Sequence, residues 1–151
     1  TTMIDYRIYQ NKNATSPCFK KYYGRAVSNE IINIEQLAKH MSAHNTPYSA
    51  GSIKGVLTDM VACIKELLLD GKNVKIDDLA IFSVGLKTVG SDKLEDFSVT
   101  HNIKAIRLNA RATGNLAVTQ LMIEAQVREH PQYVKPAATP ASSATTPTTK
   151  P

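Results

Sequence analysis

From Ser49 to Gly71 the chain spells one long amphipathic helix, and that helix limits what the rest of the chain can become. Ile53, Val56, Leu57, Met60, Val61, Ile64, Leu67 and Leu68 follow the i, i+3, i+4, i+7 rhythm, which extends over about five turns. Ser49 offers an N-cap hydroxyl, and Gly71 stands where a helix ends most cheaply, in a left-handed residue. A stripe this long needs a cover. Two helices and one small sheet cannot supply it within about 95 residues, so the stripe predicts packing against a symmetry mate. The expected centre of that contact is Ile53, Leu57, Met60 and Ile64, joined by Phe82 from the following sheet.

Around this helix the remaining elements fall into order. Asn33 with Gln36 forms a capping-box pair, and Ile34, Leu37, Ala38 and Met41 give a shorter stripe stopping at Asn45. The short connection through "HNTPY" then makes the two helices antiparallel neighbours. After Gly71 the period changes to two, predicting strands over 73–77, 79–89 and 98–112 with the polar turn "SDKLEDF" between the last two. Leu116, Gln120, Ile123 and Val127 predict a closing helix over about 115–129. "IDYRIYQNK" and "CFKKYYGRAV" predict an N-terminal strand pair across the turn-rich "NATSP". From Pro131 onward lie five of the seven prolines, set among Ala, Ser and Thr. Such chain buries too little apolar surface to offset its ordering entropy, which predicts a disordered tail. The expected organisation is an α+β chain with an N-terminal strand extension (1–32), a main domain (33–130) and the tail (131–151).

Composition narrows the chemistry. Eighteen Lys and Arg against thirteen Asp and Glu give a net charge of +5, which favours a polyanionic partner. There is no apolar run long enough for a signal peptide or a membrane span, so a cytoplasmic protein is expected, with no membrane partner. Cys18 and Cys63 form no Cys-x-x-Cys, and Cys63, beside the helix stripe, is expected to be a buried small hydrophobe. His40 and His44 have metal-compatible spacing, but no third ligand completes a site, and His101 and His130 are scattered. No metal and no cofactor are expected. Asp77 and Asp78 are adjacent on a strand and point to opposite faces, so they do not converge for acid–base work. No nucleophile–base pair or phosphate-cradling glycine loop occurs, so neither an enzyme nor a small-molecule substrate is expected. Lys20-Lys21-Tyr22-Tyr23 has the basic-aromatic pattern of a single-strand stacking patch. The preferred reading is that its tyrosines pack on the sheet and its lysines keep the strand edge soluble.

From Ile34 to Val127 the order and lengths of these elements resemble the HU/IHF family of DNA-bending, histone-like proteins. The likeness is carried by "SAGSIKGVLTDMVACIKELLLDGKNVKIDDLAIFSV": a capped second helix, a glycine stop, and a strand pair. In it Phe82 takes the place of the last aromatic of a Gly-Phe-Gly-x-Phe turn, and Thr113-Gly114-Asn115-Leu116 opens the last helix as in that family. The added N-terminal strands, with "KKYYGRAVSNEIINIEQLAKHM", look like the larger HU-like variant widespread in Bacteroidetes. The resemblance implies an HU-like fold: a two-helix hairpin, a three-stranded antiparallel sheet with a β-ribbon arm, and a C-terminal helix. It also implies a dimer, with itself or a paralogue, that binds and condenses double-stranded DNA with little sequence preference in the nucleoid. The arm would enter the minor groove, with Lys87, Lys93, Lys104, Arg107 and Arg111 as the DNA-contacting residues. Arg107 and Arg111, four residues apart, would be separated by about 13 Å at a strand rise of about 3.3 Å.

Three departures from the family pattern bear on function. Asp77-Asp78-Leu79-Ala80-Ile81 replaces the small residues of the turn, and residues 85–112 contain no proline to wedge between base pairs. Five cations against three carboxylates leave that segment at a net charge of only +2. A smaller bend is therefore expected, with Val89, Leu94 or Phe97 as substitute wedges if the turn exposes them. The alternative function is a structural or assembly protein that keeps the HU-like fold without binding DNA.

Overall fold

The computed structural model describes residues 3–138 and divides the chain into two compact units. Residues 30–125 form one; the N-terminal residues through Asn29, with the chain from Gln126 onward, form the other. The α+β class and the HU-like order of elements are those expected.

The larger unit begins with α1 (Ile34–Ser42) and α2 (Ala50–Leu69). The Asn33 carboxamide oxygen accepts from Gln36 N–H at 2.9 Å and the Gln36 side chain accepts from Asn33 N–H at 2.9 Å, a reciprocal cap that fixes the start of α1. Asn45, at φ 56°, ends the turn that follows α1. Ser49 Oγ accepts from Ser52 N–H at 3.2 Å at the start of α2. Gly71, at φ 75°, closes it in a Schellman motif: Lys72 N–H donates to Leu67 C=O (3.0 Å) and Gly71 N–H to Leu68 C=O (3.1 Å).

The sheet of this unit, β3 (Val74–Ile76), β4 (Ala80–Thr88) and β5 (Ile103–Ala112), is antiparallel in that order. Asp78 makes the β3–β4 turn at φ 62°, and its carboxylate accepts from Asn115 N–H at 3.2 Å. Gly114, at φ 57°, packs so closely on Asp78 that a β-carbon would fall 2.1 Å from Asp78 Oδ1. The acidic turn that departs from the family pattern thus has a structural partner: the loop entering the last helix.

Of "CFKKYYGRAV", expected as one strand, only Tyr22–Ala26 is strand, because Cys18–Lys20 belongs to the preceding turn, and two further segments differ from the sequence expectation. The third strand starts at Ile103, not at residue 98, because Val99–Asn102 forms a helical turn, α3, capped by Ser98. The closing helix is shorter: after a 3-10 turn at Gly114–Leu116, α4 covers Val118–Glu124. Residues Val127–Glu129 leave it and become β6, parallel to β1 (Ile4–Gln10) in register Ile4↔Val127, Asp5↔Arg128 and Tyr6↔Glu129. Val127 keeps helical spacing in sequence, but the free edge of β1 offers ladder bonds that a frayed last turn lacks.

The smaller unit is a sheet in the order β2-β1-β6, where β2 (Tyr22–Ala26) pairs antiparallel with β1. Residues just after β6, expected to belong to a disordered tail, run along the edge of β1. His130 N–H donates to Tyr6 C=O at 2.9 Å, and Ile8 N–H donates to Tyr133 Oη at 3.3 Å. Tyr133 Oη donates in turn to Glu129, Lys135 pairs with Glu129 at 2.9 Å, and Tyr22 Oη donates to Ala137 C=O at 2.9 Å. Tyr133, Lys135 and Tyr22 supply the anchors that composition alone did not weigh. The disorder expected of residues 139–151 concerns positions outside the described residues.

Candidate nucleic-acid interface

Only β4 and β5 continue past the end of β3, so residues 83–88 and 103–109 form a two-stranded ribbon. Strand alternation divides it. Phe82, Val84 and Leu86 face one side, opposite Ala110, Leu108 and Ile106; Ile81, Ser83, Gly85 and Lys87 face the other, opposite Arg111, Asn109, Arg107 and Ala105.

The polar side holds Lys87, Arg107 and Arg111 together, all exposed. Gly85 makes this arrangement possible. A β-carbon there would lie 2.8 Å from Asn109 Nδ2 and 3.1 Å from Arg107 Nε, so both side chains spread over the bare backbone. Lys104 is the extra residue of a β-bulge, between the pairs Lys87↔Ala105 and Thr88↔Ile103. A bulge re-aims the side chain it carries. Lys93 is apart from the others, in the tip ahead of the 3-10 turn Leu94–Asp96.

Charge is therefore unevenly spread along the arm. The three carboxylates that diluted the segment, Asp92, Glu95 and Asp96, all lie in the tip with Lys93. The paired strands themselves carry Lys87, Lys104, Arg107 and Arg111 and no acid. None of the four forms an ion pair among the described residues.

The tip is closed by a residue that sequence reading missed. Asn102 is 6% exposed; its Nδ2 donates to Val89 C=O and its Oδ1 accepts from Ser98 N–H, both at 2.9 Å. No local pattern signals such a clamp, because its two partners lie 13 residues and 4 residues away. Beyond it the tip presents Leu94, 91% exposed, with Phe97 and Val89 also exposed.

The opposite side of the ribbon is apolar and open. Met60, Val61, Ile64 and Leu68 of α2 and Phe82, Val84, Ile106 and Leu108 line a cavity of about 380 Å³. Of the expected contact residues, Ile53 is buried within the chain, while Leu57, Met60, Ile64 and Phe82 are half-buried. Ile106 and Leu108 remain 63% and 62% exposed. Among the described residues only Ala38, Ile53, Leu68 and Ala80 are buried apolar residues, too small a core for a stripe of this length. Cys63, expected to be buried, is exposed, since it lies to the side of the stripe away from the sheet contact.

Other candidates remain apart. His40 and His44 bring their Nε2 atoms to 3.0 Å, yet no group of three or more potential metal ligands forms among the described residues. No helix among the described residues is long and apolar enough to cross a membrane.

Comparison with known proteins fits this geometry. The HU-HIG family model, described as an HU domain fused to wHTH, Ig, or Glycine-rich motif, matches residues 3–121. The fold is similar to the crystal structure of a "Putative bacterial DNA binding protein" from Bacteroides vulgatus, with a TM-score of 0.64 and 14% sequence identity. The match covers 87% of this chain and 51% of that one, so the chain spans about half the length of that protein. No curated protein matches the chain.

Proposed function

Because the chain belongs to the HU-HIG family, we propose that it is an architectural DNA-binding protein that acts as a dimer on double-stranded DNA with little sequence preference. The observation that carries this reading is the two-sided ribbon. One side presents unpaired cations without a competing carboxylate; the other presents an apolar surface continuous with α2.

The two sides have separate tasks. Arg107, Arg111, Lys87 and Lys104 meet phosphates and displace condensed counterions, a sequence-independent source of affinity. Ile106, Leu108, Val84 and the cavity beside Met60 and Ile64 pack against the same surface of a second copy, or of a paralogue. Pairing two chains places two ribbons on one duplex. Lys93 lies among carboxylates and contributes less. Leu94, the most exposed of the three candidate wedges in the tip, would insert at a base step, since an exposed apolar side chain can unstack one without proline. Such a protein would sit in the nucleoid of the cytoplasm and condense DNA.

The architectural part is tested by end-to-end energy transfer on a short doubly labelled duplex. Bending by the unmodified protein and a smaller bend with Leu94→Ala are expected. Binding without any change in end-to-end distance would remove the architectural role. A second reading, an assembly protein without DNA, is favoured by one observation: β2 is an edge strand of the small sheet.

A further inference from the structure

We propose that the face of the N-terminal sheet carrying Arg7, Tyr9, Tyr23 and Arg25 is a second nucleic-acid site, specific for single strands. The strand register makes a block of four: Arg7 opposite Arg25, and Tyr9 opposite Tyr23. By strand alternation all four side chains leave the same face, and all four are exposed. The Arg25 guanidinium lies 4.8 Å over the Tyr9 ring, and the Tyr9 and Tyr23 rings are 5.9 Å apart at 33°.

Two features point to an anionic, base-bearing ligand. Directly opposed like charges destabilise a strand pair. Arg7 and Arg25 nevertheless face each other with no ion pair among the described residues. The neighbouring acids are already committed. Asp5 is held by Arg128 at 2.6 Å, and Glu129 by Lys135 and Tyr133. The face also borders a groove, whose lining does not include Tyr23: Arg7, Tyr9, Lys12 and Arg25 line it together with the segment Tyr133–Ala137, around a volume of about 670 Å³. That is within the roughly 300–1,000 Å³ of ligand-binding clefts.

The chemistry selects single strands over duplex. Ring faces are useful only to bases that have left a stack, and guanidinium groups beside them hold the intervening phosphates. The Cys18 thiol beside it raises the Tyr23 phenol pKa, which keeps the ring neutral toward a phosphate-bearing ligand. The basic-aromatic run Lys20–Tyr23 therefore divides: Tyr23 belongs to this face, whereas Tyr22 leaves the other face of β2 and its Oη donates to Ala137 at the end of the groove. This site is independent of the ribbon, so either can fail alone.

The test is a titration of the full chain with a labelled oligothymidylate of about 12 nucleotides, its oligouridylate equivalent, a duplex, and inorganic polyphosphate. Single strands of either sugar should bind and quench tyrosine fluorescence. Tyr9→Ala with Tyr23→Ala should weaken that binding by about tenfold or more and leave duplex affinity unchanged. Tyr9→Phe with Tyr23→Phe should retain most of it, which separates stacking from misfolding. Arg107→Ala with Arg111→Ala should leave single-strand binding intact. The proposal is overturned if no single strand binds at low salt. It is also overturned if polyphosphate binds equally well, or if the ribbon variant alone abolishes single-strand binding.

Discussion

The Arg107 side chain crosses directly over Gly85, with Nε 3.1 Å and Cγ 3.4 Å from the place a β-carbon at residue 85 would occupy. The backbone there is ordinary strand, so a larger residue displaces exposed side chains and does not strain the chain. Gly85→Val should therefore change stability by no more than about 1 kcal/mol, since valine favours strands. It should weaken duplex binding severalfold, comparable to withdrawing one cation from the phosphate backbone. A thermal melt beside a duplex titration reads both. A large loss of stability, or unchanged affinity, would contradict this role for Gly85.

Asn102 closes the ribbon tip through Val89 C=O and Ser98 N–H. Asn102→Leu leaves both groups without that partner, which costs about 1–3 kcal/mol. Urea unfolding should show a lower midpoint with helix content retained. A midpoint equal to that of the unmodified protein would mean that the tip is held by something else.

Ile106 and Leu108 are exposed in the single chain, so a carboxylate at either position is inexpensive unless a partner covers it. The unmodified protein is expected to sediment as a dimer at low micromolar concentration, and Ile106→Glu as a folded monomer. Burying an unpaired charge in an interface costs several kcal/mol. If the unmodified protein itself sediments as a monomer, the covered-face account is wrong.

How much of this was legible in the sequence depended on distance along the chain. The caps at Asn33 and Ser49, the stop at Gly71 and the stripe from Ile53 to Leu68 are local patterns, and the structure has them as expected. The strand character of Val127 was not legible, because its partner Ile4 lies at the other end of the chain. The anchoring of Tyr133 on Ile8 was hidden for the same reason. Arg107 and Arg111 could be placed on one face from alternation. Their isolation from Asp92, Glu95 and Asp96 needed the tip to fold. Counting charge over the whole segment blurred a cationic ribbon and an acidic tip into a weak average.

The small sheet should respond to acid. Hydrogen bonding to Arg128 lowers the Asp5 pKa, and bonds from Lys135 and then Tyr133 lower that of Glu129. A carboxyl lowered on folding contributes stability that is present above its unfolded value, 3.8 for Asp and 4.5 for Glu, and is lost as pH falls through the folded value. Burial, and then the bond to Glu129, raise the Tyr133 phenol, so its contribution is complete at neutral pH and is lost only in alkali. Hydrogen-exchange protection at Ile8 and His130 should therefore decline between about pH 5 and about pH 3. Constant protection across that range would remove the ion pairs from the account of how the segment after β6 is held.

The central claim is that the four ribbon cations bind duplex phosphate. The most direct measurement is the salt dependence of affinity for a random-sequence duplex between about 50 and about 200 mM salt, with Arg107→Ala plus Arg111→Ala beside the unmodified protein. The unmodified protein should bind tightly at the lower salt and lose affinity steeply at the higher. The variant should bind all duplexes more weakly, with a salt slope reduced by about one unit for each phosphate that is no longer neutralised. No duplex binding by the unmodified protein at the lower salt would contradict the claim. So would a variant whose affinity and salt slope are unchanged.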